Sequence, residues 1–330
     1  MVILSDCPER LAGLARVEDG SEVRVDSLPP GDQALWRVLG GGDRLWRGTT
    51  PNPGPQGFWS RAVIVEEAPF SQFDILRESL ASGLQFPGPT ACVAMSGRGF
   101  HGQRGRPWLS APGNLHMCAV VPAPRLAARE ARSLPMLPAL AVVDAVQALT
   151  GDALQPGIKW VNDLLLAGHK IAGVLTATQV QGDQVSAILA GIGLNVTTAP
   201  PVPPTPFVPS VSCLAEAGVQ TTCAEAATFV MAALGRRLGD LATHGAGRLL
   251  DAYRTASLVI GREVCVFADS EPGETLVGTP PMLRGTVRDI AADLSLVLEG
   301  VETPVESGRL AFAEDCRDLG PGPDGPTEPT

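Results

Sequence analysis

The sequence contains no C-x-x-C pair, although it has seven cysteines. They are scattered along the chain, at Cys7, Cys92, Cys118, Cys213, Cys223, Cys265 and Cys316. Closely paired cysteines are typical of zinc sites, and an even set is typical of a disulfide framework, so neither is predicted. Several of these cysteines lie in apolar runs, where a thiol behaves as a small hydrophobic side chain. The pattern favours a reducing cytoplasm.

Long apolar runs are also missing. No stretch reaches the length of a membrane span, and no basic segment followed by an apolar one opens the chain. Positive charge is scarce: 25 Lys and Arg against 35 Asp and Glu give a formal net charge of −10. General binding of nucleic acid needs clustered cations that displace counterions, so DNA binding is not predicted. We expect a cytoplasmic protein with no membrane partner.

Histidine and aromatic residues are few. The four histidines show no metal-ligand spacing, and no residue is predicted to hold a resident metal. Glycine and proline are abundant, at 37 and 30 of 330 residues, and the apolar fraction is 45%. This composition indicates a globular chain with many turns rather than a helical bundle.

A glycine- and arginine-rich stretch, Gly97 to Leu115, follows an apolar run that is typical of a strand. It reads G-R-G-F-H-G-Q-R-G-R-P-W-L-S-A-P-G-N-L. Its glycines let the backbone approach a ligand closely, and Arg98, Arg104 and Arg106 bring guanidinium groups that stay charged. Backbone donors and fixed cations suit a polyphosphate such as ATP, and the alternative is an exposed surface loop.

Hydrophobic periodicity predicts an α/β chain whose centre is a run of adjacent antiparallel strands. Strands are expected at 62–66, 90–95, 115–121, 158–166, 171–177 and 186–196, and helices at 71–82, 135–149, 223–241 and 248–256. The helix at 135–149 has an amphipathic pattern, with Asp144 and Gln147 opposite its apolar residues. After residue 257 short strands are expected at 263–267, 282–287, 294–298 and 309–312, which indicates a small barrel-like β domain.

A second polar cluster occupies the segment K-W-V-N-D at 159–163. If this segment is one continuous strand, Lys159, Val161 and Asp163 share one face and the two residues between them share the other. The K-I-A-G sequence at 170–173 places a lysine beside a glycine that permits close approach, a common way to bind phosphate or carboxylate. For Lys159 or Asp163 alone, a solvated strand end is the alternative.

Together with two further segments, the three motifs described above resemble the biotin–protein ligase family, whose members join biotin to a lysine of a carrier protein through biotinyl-AMP. The matching segments are R-G-R-P-W-L-S-A-P-G-N-L (104–115), I-K-W-V-N-D-L (158–164), K-I-A-G-V-L (170–175), G-I-G-L-N-V (191–196) and I-G-R-E-V-C-V (260–266). They stand in the family's order and spacing. The resemblance implies an α/β (α+β) fold with a mixed, mainly antiparallel sheet covered by helices, and a C-terminal SH3-like β-barrel.

The resemblance also implies a domain organisation and a reaction. The expected parts are an N-terminal extension of unknown role (1–60), a biotin/lipoate ligase catalytic domain (61–257), an SH3-like domain (258–316) and a disordered tail (317–330). The implied enzyme uses ATP, biotin and Mg²⁺, forms biotinyl-5′-AMP, and transfers biotin to a lysine of a biotin carboxyl carrier protein. A homodimer is compatible with the resemblance.

Residue roles follow position by position from the same resemblance. Lys170 is similar to the lysine that contacts the biotin carboxylate and the α-phosphate. Asp163 is similar to a carboxylate near the incoming lysine, and Arg104 and Arg106 end the loop that orders over the adenylate. These four are the predicted catalytic residues. The predicted ATP and biotin contacts are Ser71, Gln72, His101, Gly102, Gln103, Gly105, Trp108, Lys159, Asn162, Gly173 and Asn195.

Two features depart from the family pattern. Members usually have G-R-G-R-R-G-R before the tryptophan, and an ungapped match back from Trp108 places His101 and Gln103 where two arginines would stand. Either these two residues replace the arginines, or the Gly97-Arg98-Gly99 segment supplies the charge through a shifted loop. Ser71-Gln72-Phe73 replaces the S-T-N segment that touches the biotin ring. The open alternatives are a ligase of the same fold for lipoate, octanoate or another carboxylate, and a nucleotide- or biotin-binding homologue with weakened catalysis.

Overall fold

The computed structural model describes residues 1–11, 18–86, 88–269 and 279–316. Within these ranges the chain forms a ten-stranded sheet, a separate four-stranded sheet and five α-helices. The strands of the large sheet are β1 (Val2–Ser5), β2 (Glu18–Arg24), β3 (Arg44–Thr49), β4 (Arg61–Ala68), β5 (Thr90–Gly97), β6 (Leu115–Ala127), β7 (Gly157–Lys159), β8 (Asp163–Leu166), β9 (His169–Gln181) and β10 (Gln184–Leu194). The helices are α1 (Pro30–Val38), α2 (Gln72–Ala81), α3 (Met136–Leu149), α4 (Cys223–His244) and α5 (Ala246–Ala256).

The large sheet is mixed and mainly antiparallel, as predicted. Its strand order is β2-β3-β1-β4-β5-β6-β10-β9-β8-β7. The pairs β1–β4 and β4–β5 are parallel, and every other pair is antiparallel. Helices α1 and α2 pack on one face, while α3, α4 and α5 form a layer on the other. The predicted fold class is therefore confirmed.

The first 60 residues extend this same sheet. Their apolar patches lie in β2 and α1, and β1 pairs with β3 on one side and with β4 on the other. The buried Asp32 of α1 also forms an ion pair with Arg61 of β4. The segment is thus joined to the predicted catalytic part by backbone pairing and by a buried charge pair, while the domain boundaries themselves stay predictions.

Replacing Arg61 with alanine should therefore lower the free energy of unfolding by about 2 kcal/mol, because it leaves the buried Asp32 carboxylate without its cation. Urea unfolding measures the change. Arg24→Ala is the matched control, since the Arg24–Asp26 ion pair is exposed and should contribute less than about 0.5 kcal/mol. Equal effects of the two substitutions would show that the N-terminal segment is not fixed through Asp32.

Helix α3 is buried on more sides than its sequence pattern predicts. Residues 136–143 are all buried, because α4 covers the side of the helix that faces away from the sheet. Asp144, which lies opposite the apolar residues of the sequence pattern, accepts hydrogen bonds of 2.7 Å from Nε and Nη2 of Arg237 in α4. A single-sequence pattern cannot reveal a second helical layer, so it did not indicate this partner.

Strand β6 was expected to end at Pro122 but continues to Ala127. Proline lacks the N–H that a strand ladder needs and is tolerated at irregular positions. Here the pairing with β10 shifts between Val185 and Ala187, which lie opposite Leu126 and Pro122. The irregular register accommodates the proline and lets the strand go on.

The segment at 157–166 is a tight hairpin and not one strand. β7 ends at Lys159, the chain turns through Trp160, Val161 and Asn162, and β8 begins at Asp163, which pairs directly with Lys159. The prediction that these side chains alternate along a continuous strand was wrong, because a turn interrupts the alternation. Lys159 and Asp163 nevertheless meet, as cross-strand partners.

The C-terminal part forms the predicted small β unit. Its strands are β11 (Glu263–Phe267), β12 (Leu283–Ile290), β13 (Leu296–Leu298) and β14 (Arg309–Phe312), paired antiparallel in the order β13-β12-β11-β14. The predicted disordered tail lies outside the described residues. No helix in the described part of the chain has the length and apolar character needed to cross a bilayer.

Candidate active site

A cavity of about 320 Å³ lies on the α2 face of the large sheet, between the start of α2, the glycine- and arginine-rich loop and the C-terminal sheet. Among the predicted site residues, Arg104 and Gly105 do not line it. Those that do are Ser71, Gln72, His101, Gly102, Gln103, Arg106, Trp108, Lys159, Asn162, Asp163, Lys170, Gly173 and Asn195. The structure thus gathers residues from distant parts of the sequence around one space, and their individual roles stay predictions.

The strand register places two glycines, which have no side chains, side by side in the wall of the cavity. Gly193 of β10 lies opposite both His116 of β6 and Gly173 of β9, and Gly173 lies opposite Asp163 of β8. Directly opposed residues of antiparallel strands project to the same face, so the two glycines leave a gap in that row. The Trp108 ring lies over the gap: a Cβ atom on Gly193 would be 2.5 Å from it.

Gly193→Ala should displace the Trp108 ring and raise the KM for a ligand of this cavity by about tenfold to a hundredfold, because small misplacements of binding groups are costly. Steady-state kinetics and tryptophan fluorescence measure this. Gly239→Ala is the control, since a Cβ there meets nothing within 4 Å and alanine favours the helix. Similar KM values for both variants would contradict the assignment of Trp108 to the cavity wall.

Both lysines of the chain line the cavity. Lys170 Nζ is 2.6 Å from Asp163 Oδ1 and lies 5.7 Å from the centre of a Trp108 ring. Each of the two side chains is about one-fifth exposed. The contact between β8 and β9 thus places one ammonium group and one carboxylate side by side at the opening.

Lys159 is buried more deeply. Its Nζ donates a hydrogen bond of 2.5 Å to the Phe207 carbonyl oxygen and lies 5.2 Å from the Phe312 ring centre in β14. Burial lowers the pKa of Lys159 to about 8, and the Asp163 carboxylate opposes this shift. Lys159 therefore joins the cavity to the C-terminal sheet as well as contributing charge.

The glycine- and arginine-rich loop folds as a small hairpin over the cavity. Gly102 N donates to the Arg106 carbonyl oxygen at 2.7 Å, and Trp108 N donates to the Phe100 carbonyl oxygen at 2.9 Å. Arg106 lines the cavity, but Arg104 points away and pairs with Asp269 at 2.7 Å. In this structure the tip of the loop therefore contacts the C-terminal part instead of the cavity.

Arg309 is a cavity residue that the sequence did not indicate. It lies in β14, and its guanidinium stacks 3.7 Å from the Phe207 ring centre. Burial and the nearby Arg106 charge lower the pKa of Arg309 to about 10, while Asp163 and Asp269 act in the opposite direction. Two guanidinium groups near one cavity repel each other, and an anion bound between them relieves that repulsion.

One wall of the cavity is apolar, because Phe73 and Phe100 line it. Gln72 and His116 add buried polar groups to the same wall. They are 3% and 5% exposed; Gln72 Nε2 and His116 Nδ1 have no hydrogen-bond partner of ordinary geometry within the described part of the chain, although the Ala111 backbone is close enough to the His116 ring to oppose the effect of burial. His116 Nε2 is 3.1 Å from Ser110 Oγ. Burial lowers the pKa of His116 to about 4, so the ring is neutral near pH 7. His116 was not predicted, and only its proximity to the loop motif could have suggested it.

The two predicted asparagines are held by the protein itself. Asn162 Nδ2 donates to the Val174 carbonyl oxygen at 2.8 Å, and Asn195 Nδ2 donates to the Ser212 carbonyl oxygen at 3.0 Å. Asn114 Nδ2 is 3.4 Å from Asn195 Oδ1, and Asn114 is fully buried. These amides fix the backbone that forms the cavity wall.

Comparison with known proteins places the chain in a family. Residues 76–195 match the model of the biotin/lipoate A/B protein ligase family. The chain is 33% identical over 166 residues to a biotin–[acetyl-CoA-carboxylase] ligase from Paracoccus denitrificans, a match that covers 49% of this chain and 68% of the relative. It belongs to the biotin/lipoate A/B protein ligase family.

One further relative and one solved structure are similar to the chain. The chain is 30% identical over 176 residues to the bifunctional ligase/repressor BirA of Bacillus subtilis, covering 53% of this chain and 54% of that protein. In fold it is similar to a biotin protein ligase from Aquifex aeolicus in complex with biotin and ATP, with a TM-score of 0.58 and 20% identity over 77% of this chain and 100% of the other. The chain thus spans about half the length of the Bacillus relative.

Proposed function

We propose that this protein is an ATP-dependent biotin–protein ligase. It activates biotin as biotinyl-5′-AMP and transfers the biotinyl group to a lysine of a carrier protein. The observation that supports this best is the charge of the cavity: Arg106, Lys159, Lys170 and Arg309 line it, and Asp163 is the one carboxylate among its described residues. A cavity with this excess of cations suits the joining of two anions.

In the first step an oxygen of the biotin carboxylate attacks the α-phosphorus of ATP. A new P–O bond forms, the bond to the β-phosphate oxygen breaks, and pyrophosphate leaves with that electron pair. The protein's contribution is positioning and positive charge that is already in place before the reaction. Lys170 stands at the opening beside Asp163, where it can exchange that carboxylate for the reacting oxygens.

Mg²⁺ is expected to accompany ATP. Within the described residues no group of three or more His, Cys, Asp or Glu forms a metal site. Mg²⁺ commonly takes one or two carboxylates together with substrate phosphates, so a single cavity carboxylate, Asp163, fits a metal held chiefly by ATP. When bound, Mg²⁺ neutralises phosphate charge.

The buried polar atoms of the apolar wall favour biotin over an aliphatic acid. An unpaired buried donor or acceptor costs about 1–3 kcal/mol, and a ligand that pairs with it recovers that cost. The ureido ring of biotin carries a carbonyl and two N–H groups, which can pair with Gln72 and His116, whereas the octanoate chain offers no such group beyond its carboxylate.

In the second step the amine of the carrier lysine attacks the carbonyl carbon of the mixed anhydride, and AMP leaves. The attacking amine must lose a proton, because an unperturbed lysine has a pKa of about 10.4. Asp163 is the candidate to accept or orient that proton. A biotin carboxyl carrier domain of the acetyl-CoA carboxylase type is the proposed acceptor, by similarity to the Paracoccus enzyme. The homodimer stays a prediction.

The test is transfer to a purified biotinyl carrier domain, followed by intact mass measurement. ATP and biotin should add one biotinyl group, and replacing the acceptor lysine with arginine should abolish the gain. Addition of lipoyl or octanoyl groups in place of biotin would reassign the acyl substrate. Bound nucleotide without transfer of any acid would mean a binding homologue instead of an enzyme.

A further inference from the structure

His101 makes two short polar contacts that only a doubly protonated imidazole satisfies. Its Nε2 is 2.6 Å from Asp74 Oδ2, and its Nδ1 is 2.9 Å from the Gly102 carbonyl oxygen. Both partners are acceptors. A neutral ring carries one N–H and a lone pair on its other nitrogen, so it could donate to only one of them. The geometry therefore favours the imidazolium form.

These contacts connect two parts of the cavity wall. His101 belongs to the hairpin Phe100–Trp108, where it pairs with Pro107 and lies close to Arg106 in the fold of the loop. Asp74 lies in the first turn of α2, just after the wall residues Ser71 and Gln72. The ion pair thus fastens the loop that carries Arg106 and Trp108 to the helix that carries the apolar wall.

Several other groups surround this pair in the described structure. On α2, Arg77 Nη2 is 2.9 Å from Asp74 Oδ1. On β6, the His116 ring lies 5.0 Å from the Phe100 ring, and the Cys118 thiol is within electrostatic range of Asp74. Burial and Arg77 lower the pKa of His101, but Gly102 and Asp74 raise it more, and the pKa lies above its ordinary value.

We propose that the His101–Asp74 ion pair is a pH-dependent clamp that holds the substrate loop against α2 before ATP and the acid bind. His101 is then a positioning residue for Arg106 and Trp108. An arginine at this position would stay charged at every working pH. With histidine, the charge of the ion pair depends on pH.

The pH dependence of the clamp follows from the raised pKa of His101. Because the folded pKa of His101 is above the ordinary value of about 6.5, the charged clamp is fully formed below that value and loses its charge attraction as pH rises through the folded pKa, when a neutral ring can donate to only one of its two acceptors. The loop is therefore held more firmly in mildly acidic solution and less firmly in alkaline solution. The proposed function supplies only the identity of the ligands over which the loop closes.

Histidine NMR titration tests the clamp without any activity. The chain has four histidines, which makes assignment by single substitution practical. We expect His101 to titrate above 6.5, to titrate lower in Asp74→Asn, and to titrate higher in Arg77→Gln, since Asp74 stabilises the imidazolium and Arg77 opposes it. A His101 that titrates at or below 6.5, or that is unaffected by Asp74→Asn, would overturn the proposal.

Trypsin supplies a second readout of loop position. It can cleave after Arg98 and Arg104, whereas the bond after Arg106 is protected by Pro107. With rates normalised to a small peptide substrate at each pH, cleavage of the wild type should be about tenfold faster at pH 8.5 than at pH 6.5, as the clamp opens. Asp74→Asn should be cleaved fast at both, and equal pH dependence in the two proteins would refute the clamp.

Kinetics separates positioning from catalysis. Asp74→Asn should raise the KM for the acid by about tenfold and leave kcat within about twofold, since Asp74 does not touch the cavity. A fall in kcat with unchanged KM would overturn the positioning role.

If the wild type activates no carboxylate, the proposed function fails, while titration and proteolysis still show whether the clamp exists. If Asp74→Asn does not fold, the wild-type titration and Arg77→Gln decide it alone.

Discussion

Replacing Lys170 with alanine should lower the rate of biotinyl-AMP formation by about a hundredfold to a thousandfold, the usual effect of removing one preorganised charge donor. In the structure the Lys170 ammonium is 2.6 Å from the Asp163 carboxylate, at the opening of the cavity. Alanine removes the attraction for the reacting carboxylate and phosphate. It also removes the ion-pair partner of Asp163, so the negative charge of this carboxylate is less fully balanced and repels both substrates more strongly.

The rate is measured as pyrophosphate–ATP exchange, with thermal unfolding as the check on the fold. Arg236→Ala is the control, because Arg236 is an exposed cation of α4, away from the cavity lining. Lys170→Arg should retain part of the activity, since it keeps the charge but changes the shape of the donor. Exchange within threefold of wild type in a folded Lys170→Ala variant would remove Lys170 from the mechanism.

Arg309→Ala should lower kcat/KM for ATP by about a hundredfold. Arg309 comes from the C-terminal sheet, yet it lines the cavity and is close enough to Arg106 for the two charges to interact. Because an anion between the two guanidinium groups relieves their repulsion, the pair binds phosphate more strongly than either group alone. The substitution should therefore raise the KM for ATP much more than the KM for biotin.

Arg288→Ala is the matched control, because Arg288 is an exposed arginine of the same small sheet, in β12. Steady-state kinetics over a range of ATP concentrations distinguishes the two variants. Equal and small effects would mean that the C-terminal sheet only packs against the catalytic part. A large effect confined to Arg309 would establish that this sheet completes the nucleotide site.

Sequence patterns indicated residues that line one cavity, but they predicted the local geometry around it less well. Lys159, Asp163 and Lys170 lie in motifs that can be identified from the sequence alone, and all three line the cavity. The pattern failed at the turn after Lys159, because a two-residue alternation cannot show where a strand reverses. The pattern did not indicate the ion pair of Asp144 either, because the partner charge, Arg237, is distant in sequence.

The residues that sequence reasoning missed reach the site through tertiary structure alone. Arg309 is brought in by the packing of the C-terminal sheet, and His116 by the register of β6 against β10. Arg104 illustrates the reverse case, since a residue of the loop motif pairs with Asp269 outside the cavity. Motifs therefore identify which segments form a site, while packing decides which side chains point into it.

A crystal structure with a stable analogue of biotinyl-AMP tests the central claim most directly. The claim is that the cations of this one cavity hold the carboxylate of the acid and the α-phosphate together. We expect the acyl-phosphate linkage within about 3.2 Å of Lys170 Nζ, between the Arg106 and Arg309 guanidinium groups, with the ureido ring against Gln72 and His116. An analogue bound elsewhere, or one whose phosphate contacts none of these cations, would contradict the account.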